Sequence, residues 1–199
     1  MPKLSNIVDM INCNIKSNNF SSARFQSGKL YNISDPVKSY KEDGSSTTEP
    51  MIIDDNGECT NLSYDDSRSF TLFHTVEEIE YNIPSDDYGR PGTTMMETAN
   101  MKLIFTGSRR KLKFAVEDII AAVIYDIPKE FLPIDICNLN LTSCIIEVGI
   151  VDSNIYNVWD DNWINTEMRL NTESIAFSIK YKIISTYNKC FSLCPPKTK

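Results

Sequence analysis

The stretch MKLIFTGSRRKLKFAVEDIIAAVIYDIPK, residues 101–129, decides the fold. Met101, Leu103 and Phe105 share one alternating phase, the period of a strand with a buried face. From Leu112 the period changes. Leu112, Val116, Ile119 and Val123 recur at three- and four-residue spacing, supported by Ala115, Ile120 and Ala122. This predicts a helix with a wide apolar arc, packed on its own sheet and on a second surface. Ile127-Pro128 ends it. Between the two lies Thr106-Gly107-Ser108, followed by Arg109, Arg110 and Lys111. A phosphate-binding loop needs several glycines to aim successive amides inward and a closing Lys before Ser or Thr. FTGSRRK has one glycine and no such ending. The architectural reading is that Gly107 lets the chain turn and Ser108 caps the helix through its hydroxyl. The basic residues oppose the helix dipole at that end and are candidates for contacting an acidic neighbouring subunit.

Outward from this unit, the clearest strand is TESIAFSIKYKIIS, residues 172–185. Ile175, Phe177, Ile179, Tyr181 and Ile183 lie on one face, and Ser174, Ser178, Lys180 and Lys182 on the other, which is solvated or subunit-facing. In LTSCIIEVGIVD, residues 141–152, the even positions Cys144, Ile146, Val148 and Ile150 are apolar. In SFTLFHTVEEIEYNIP, residues 69–84, Phe70, Leu72 and Val76 hold one phase and Ile79, Tyr81 and Ile83 the other. A β-bulge at Glu77-Glu78 would keep both sets on the core face, and a tight connection between two strands explains the same slip. His74, on the first apolar phase, reads as a hydrogen-bonded structural histidine. Leu4, Ile7, Val8, Ile11 and Ile15 predict an N-terminal amphipathic helix over one face of the sheet. A short strand fits residues 23–33. Residues 34–69 are rich in Pro, Gly, Ser and acids and read as an extended arm or insertion, with PMII, residues 50–53, as a short strand inside it. Turn signals crowd Tyr88-Gly89-Arg90-Pro91-Gly92. In residues 154–171, Tyr156, Trp159 and Trp163 either anchor an interface or plug the end of their own core. Residues 188–199 form a C-terminal tail, where Pro195-Pro196 opposes continuation of the sheet. The fold class is therefore α+β: one domain over residues 1–199, a mainly antiparallel sheet packed by an N-terminal and a central helix, with long loop or arm insertions.

A chain of 199 residues with 41% hydrophobic residues can bury one substantial core. Its net charge of −7 is unevenly spread. From Asp54 to Asn100 there are eleven Asp or Glu against Arg68 and Arg90, whereas Met101 to Lys113 holds five Lys or Arg and no acid. A general nucleic-acid wrapper presents a broad positive field. A short basic cluster beside an acidic belt suits complementary protein surfaces better. No stretch reads as a signal peptide or a membrane span, and the expectation is a protein made in a reducing compartment with no membrane contact. The six cysteines show no CxxC pair and no zinc spacing, and read as thiols.

The chemistry-bearing patterns are sparse. One histidine cannot build a two-histidine metal set, and no GxSxG turn occurs. Asp54-Asp55, Asp65-Asp66, Asp86-Asp87 and Asp160-Asp161 are adjacent acids in polar segments, whereas a two-carboxylate hydrolase holds its acids across a cleft. Asp54, Asp55 and Glu58 fall short of a twelve-position calcium loop. The basic cluster lacks interleaved stacking aromatics apart from Phe114. No catalytic, cofactor or metal residue is assigned, and no cofactor is expected.

The order of elements in ETANMKLIFTGSRRKLKFAVEDIIAAVIYDI, residues 97–127, and WDDNWINTEMRLNTESIAFSIKYKI, residues 159–183, resembles the tail-terminator and neck or connector proteins of tailed bacteriophages. A strand feeds a sheet-packing helix, a terminal extended pair follows, and an N-terminal helix precedes the first strand. The resemblance implies a non-enzymatic virion protein that self-associates as a cyclic oligomer at the head–tail junction or in the tail, assembled in the host cytoplasm. Portal, connector or tail proteins would be its neighbours, and DNA would pass through a central channel without sequence recognition. Acidic segments lining such a channel would discourage DNA from adhering. The acidic excursion of residues 34–69 departs from the smaller members. Arg109, Arg110, Lys111, Tyr156, Trp159 and Trp163 are then candidate subunit contacts. The alternatives are a baseplate or secretion-tube adaptor, a small carboxylate-dependent hydrolase and a nucleic-acid-binding module.

Overall fold

The computed structural model describes residues 4–17, 28–40, 44, 46–53, 59–62, 69–83, 94–131, 141–153 and 174–188. Along the chain these form α1 (Leu4–Ile15), β1 (Lys29–Ile33), β2 (Asp35–Tyr40), β3 (Ser46–Ile53) and β4 (Cys59–Asn61). Then come β5 (Phe70–Asn82), β6 (Thr94–Ser108), α2 (Arg109–Leu112) and α3 (Val116–Asp126). Strands β7 (Glu130–Phe131), β8 (Leu141–Asp152) and β9 (Ser174–Asn188) complete the order. The fold is α+β. A six-stranded sheet runs β1-β5-β6-β9-β8-β7, antiparallel throughout except that β1 pairs with β5 in parallel. A separate three-stranded antiparallel sheet runs β2-β3-β4. Residues 35–61, where the sequence shows little beyond PMII, thus contain three strands. The candidate tail, residues 188–199, starts one residue too early, since Asn188 ends β9; its remainder and the turn-rich residues 84–93 lie outside the described residues.

One face of the large sheet is the main core. Alternation puts Phe70 and Leu72, Met101, Leu103 and Phe105, and Ile175, Phe177, Ile179 and Ile183 on the same side, all essentially without solvent contact. The helices cover this side: α1 supplies Ile7, Val8, Ile11 and Ile15, and the α2–α3 segment supplies Leu112, Ile119, Val123 and Ile127. Each such side chain, taken from water to full burial, contributes about 1.5–3 kcal/mol. At the centre Phe70, Phe105 and Phe177 stack across three neighbouring strands, with ring centroids 5.3 and 4.7 Å apart. Two glycines make room for this stack. A Cβ on Gly28 would sit 1.7 Å from the Phe70 ring. One on Gly107 would sit 2.7 Å from Leu112 Cδ1 and 3.0 Å from the Ser69 carbonyl.

The opposite face is covered over one half only. Phe73, Ile104 and Ala176 meet Leu62, with Tyr31 and Ile52 packed alongside. This explains why Ser174 and Ser178, on the polar phase of β9, are buried while Lys180, further along the same phase, is exposed. Ser34 ties the two sheets: its N–H donates to the His74 carbonyl at 2.7 Å and its hydroxyl to that of Met51 at 3.1 Å.

Five expectations from the sequence are corrected. The predicted central helix is two pieces, because Lys113 takes the left-handed conformation at φ 53° and closes α2 after a single turn. Ser108 stands at the start of α2 but its side chain makes no capping hydrogen bond. Gly107 does not turn the chain. It lies within β6, and glycine is required there by the approach of Leu112. The dipole conflict also disappears, since the basic residues occupy a one-turn helix while α3 begins with Glu117 and Asp118, acids that favour a helix N-terminus. Finally, Ile150 is 71% exposed: a bulge between Val148 and Val151 gives Val151 the place opposite Ile179.

Candidate functional site

The sequence-selected residues Arg109, Arg110 and Lys111 come together on α2, exposed at the end of β6, and Lys113 follows them, also exposed. Leu112 between them is buried and anchors the turn to the core. Tyr156, Trp159 and Trp163 lie outside the described residues.

At the other end of the same strand pair is a surface that, with a β-bulge at Glu77-Glu78, the sequence would turn toward the core. The slip at Glu77-Glu78 is a β-bulge: Val76 pairs with Met101 and Glu78 with Asn100, leaving Glu77 over. Both apolar sets do stay on one side, since Ile79 faces Ala99 and Tyr81 faces Glu97. Ala99 and Glu97 are themselves buried, but the cover does not extend sideways over this end of β5. Ile79, Tyr81 and Ile83 are 41%, 58% and 43% exposed, and every residue from Glu77 to Ile83 is exposed. β1 pairs with β5 only between Thr71 and His74. Among the described residues, Glu77 to Asn82 is therefore a sheet edge as well as an exposed surface. Glu77, Glu78 and Glu80 interleave the apolar side chains. Charges on an edge strand discourage indiscriminate strand pairing.

Beside this edge the uncovered half of the outer face forms an open groove of about 540 Å³. Glu77, Glu78 and Asn100 line one side and Glu147, Lys180 and Lys182 the other. Lys180 Nζ lies 2.7 Å from Glu77 Oε1, and Glu147 stands opposite Lys182 in register. The groove is a mixed-charge surface in which Lys180 pairs with Glu77 and Glu78 accepts from Asn100 Nδ2 at 3.5 Å. It offers no histidine or thiol, and among the described residues no group of three His, Cys, Asp or Glu is placed to hold a metal.

The buried titratable groups are structural in geometry. His74 is fully buried, with Nε2 3.0 Å from Asn12 Oδ1 and Nδ1 2.8 Å from the Tyr181 hydroxyl. Asn12 Nδ2 donates to the Tyr31 carbonyl at 2.9 Å, which leaves Oδ1 as the acceptor toward His74. Nε2 must then carry the proton and Nδ1 must accept from Tyr181. Both ring nitrogens are satisfied in one neutral tautomer, so the ring is a link between α1, β5 and β9. Burial lowers its pKa from 6.5 to about 3. On the same face, burial raises the Glu97 carboxyl, opposed by the hydrogen bond from Tyr81. Burial also raises the Cys144 thiol, which accepts a weak hydrogen bond from Ser185 at 3.9 Å.

No helix among the described residues is long and apolar enough to cross a membrane. Comparison of the sequence with models of protein families and with curated proteins gives no match. The exposed edge was missed because its alternation is identical to that of a half-buried strand. The one local signal was the density of acids, three in the four residues Glu77 to Glu80.

Proposed function

We propose that this chain is a non-enzymatic structural protein of a tailed-phage particle, a subunit of a ring at the head–tail connector or tail terminator. Copies assemble in the host cytoplasm, portal, connector or tail proteins stack on either side, and DNA passes through the channel without being read. The observation that supports this best is the edge Glu77–Ile83, where three large apolar side chains stand exposed on a long, rigidly paired ribbon. Exposed large apolar side chains grouped at one place mark interaction surfaces. The strands behind them lie in a continuous ladder of fifteen β6–β9 pairs, so the protruding end is held stiffly. A stiff wedge with an adhesive edge is suited to repeating in a closed array.

Native mass spectrometry and particle imaging of the purified chain, alone and with candidate connector partners, test the reading. Cyclic oligomers are the expected result. A monomer under every condition would overturn it.

A further inference from the structure

We propose that the exposed edge Glu77–Ile83 of one subunit receives the basic turn Arg109–Lys113 of the next copy, a head-to-tail contact between surfaces of opposite charge. This rests on the ring reading and names the surfaces that would close the ring.

The two patches belong to one strand pair and cannot satisfy each other within a subunit. The edge pairs with Met96 to Asn100 of β6, whereas the basic turn begins directly after Ser108. At ~3.4 Å per residue, the eight to twelve intervening residues set the patches about 27–41 Å apart. The Debye length at physiological salt is about 8 Å, so neither patch feels the other. Each is also exposed. Two copies of a chain with net charge −7 repel, and a contact that is locally opposite in sign offsets that repulsion. The basic turn supplies that local exception.

The edge offers more than charge. Ile79 and Tyr81 provide apolar area on the helix side of the edge strand, whereas Glu78 and Glu80 project from its other side, so a partner that wraps the edge meets an aromatic anchor and a charged rim. The four basic side chains of the turn can divide between the two sides, aliphatic stems over Ile79 and Tyr81 and charged heads toward Glu78 and Glu80. Because donor and acceptor surfaces are different, the contact is heterologous. Such contacts generate rings when the rotation closes and filaments when it does not.

A charge-swap experiment tests this. One variant carries Glu77→Lys, Glu78→Lys and Glu80→Lys, and a second carries Arg109→Glu, Arg110→Glu, Lys111→Glu and Lys113→Glu. Sedimentation velocity and native mass spectrometry read oligomers, and circular dichroism checks the fold. The expected result is loss of oligomers in each variant alone and their return when the two are mixed, since each then presents what the other needs. Wild-type oligomers should also dissociate as salt approaches 1 M, where the Debye length is about 3 Å. If the variants still form rings singly, this contact is overturned while the ring reading stands. A monomeric wild type overturns both. Salt-sensitive binding of duplex DNA that is lost in the second variant while its oligomers persist would assign the turn to nucleic acid and overturn the contact.

Discussion

His74 gives the sharpest stability test, because it is the only histidine in the chain and its surroundings are closed. In the folded protein its pKa is about 3, against 6.5 for the exposed side chain. Between those values the unfolded chain binds a proton that the folded chain does not. Stability is therefore fully present above about pH 6.5 and falls as pH drops toward 3. Each pH unit inside that window costs about 1.36 kcal/mol, so lowering the pH from about 8 to 4.5 removes about 2.7 kcal/mol. That is a large share of the 5–15 kcal/mol typical of a domain. Glu97 works in the opposite direction. Its raised pKa imposes a penalty above that pKa which is relieved on acidification, so wild-type curves alone would understate the histidine term. The measurement is urea unfolding of wild type and His74→Gln at several pH values, because the Glu97 term is common to both and cancels in the difference. The wild type is expected to lose about 2.7 kcal/mol more than the variant over this range. Parallel curves would mean that His74 accepts a proton in the folded state, and the single-tautomer network would be wrong.

Gly28→Ala is expected to destabilise by about 1–3 kcal/mol in chemical denaturation, since the new methyl would overlap the Phe70 ring. Ile11→Ala removes a fully buried side chain from the α1–sheet contact and should cost about 2–5 kcal/mol. Glu77→Gln, by contrast, breaks a partly exposed ion pair with Lys180 and should change stability by less than about 1 kcal/mol. A much larger loss would show that this pair holds the bulge in place. Alkylation of the native protein read residue by residue in a mass spectrometer should modify the exposed Cys13 quickly and leave Cys144 untouched until unfolding.

Much of this architecture was legible before any coordinates. Period-two patterns marked β5, β6, β8 and β9, a period near 3.6 marked α1 and α3, and the phase slip at Glu77-Glu78 marked the irregularity in β5, which a bulge or a tight connection explained equally well. Those are local properties, written in the order of apolar and polar side chains. The slip in β8 was hidden because Ile150 and Val151 are both apolar, so either could take the core place. The left-handed Lys113 was hidden as well, since Leu112 and Val116 keep helical spacing across the break. The strands of residues 35–61 gave little signal because their sequence is mostly polar.

Local order also assigned Ile79 and Tyr81 to the same side of the sheet as Phe70 and Leu72, and that assignment is right. Whether a side becomes core is a different matter, set by what covers each strand on that side. β1 flanks β5 only at Thr71 to His74, and at the far end of β5 the cover that buries Ala99 and Glu97 on β6 does not extend to their partners, so identical alternation yields full burial at Phe70 and a surface 58% exposed at Tyr81. The patterned chain specifies strands and the faces of their side chains, because these follow from neighbours in sequence. Only the packing of distant elements decides which part of an apolar face is closed within the subunit and which part is left for another molecule.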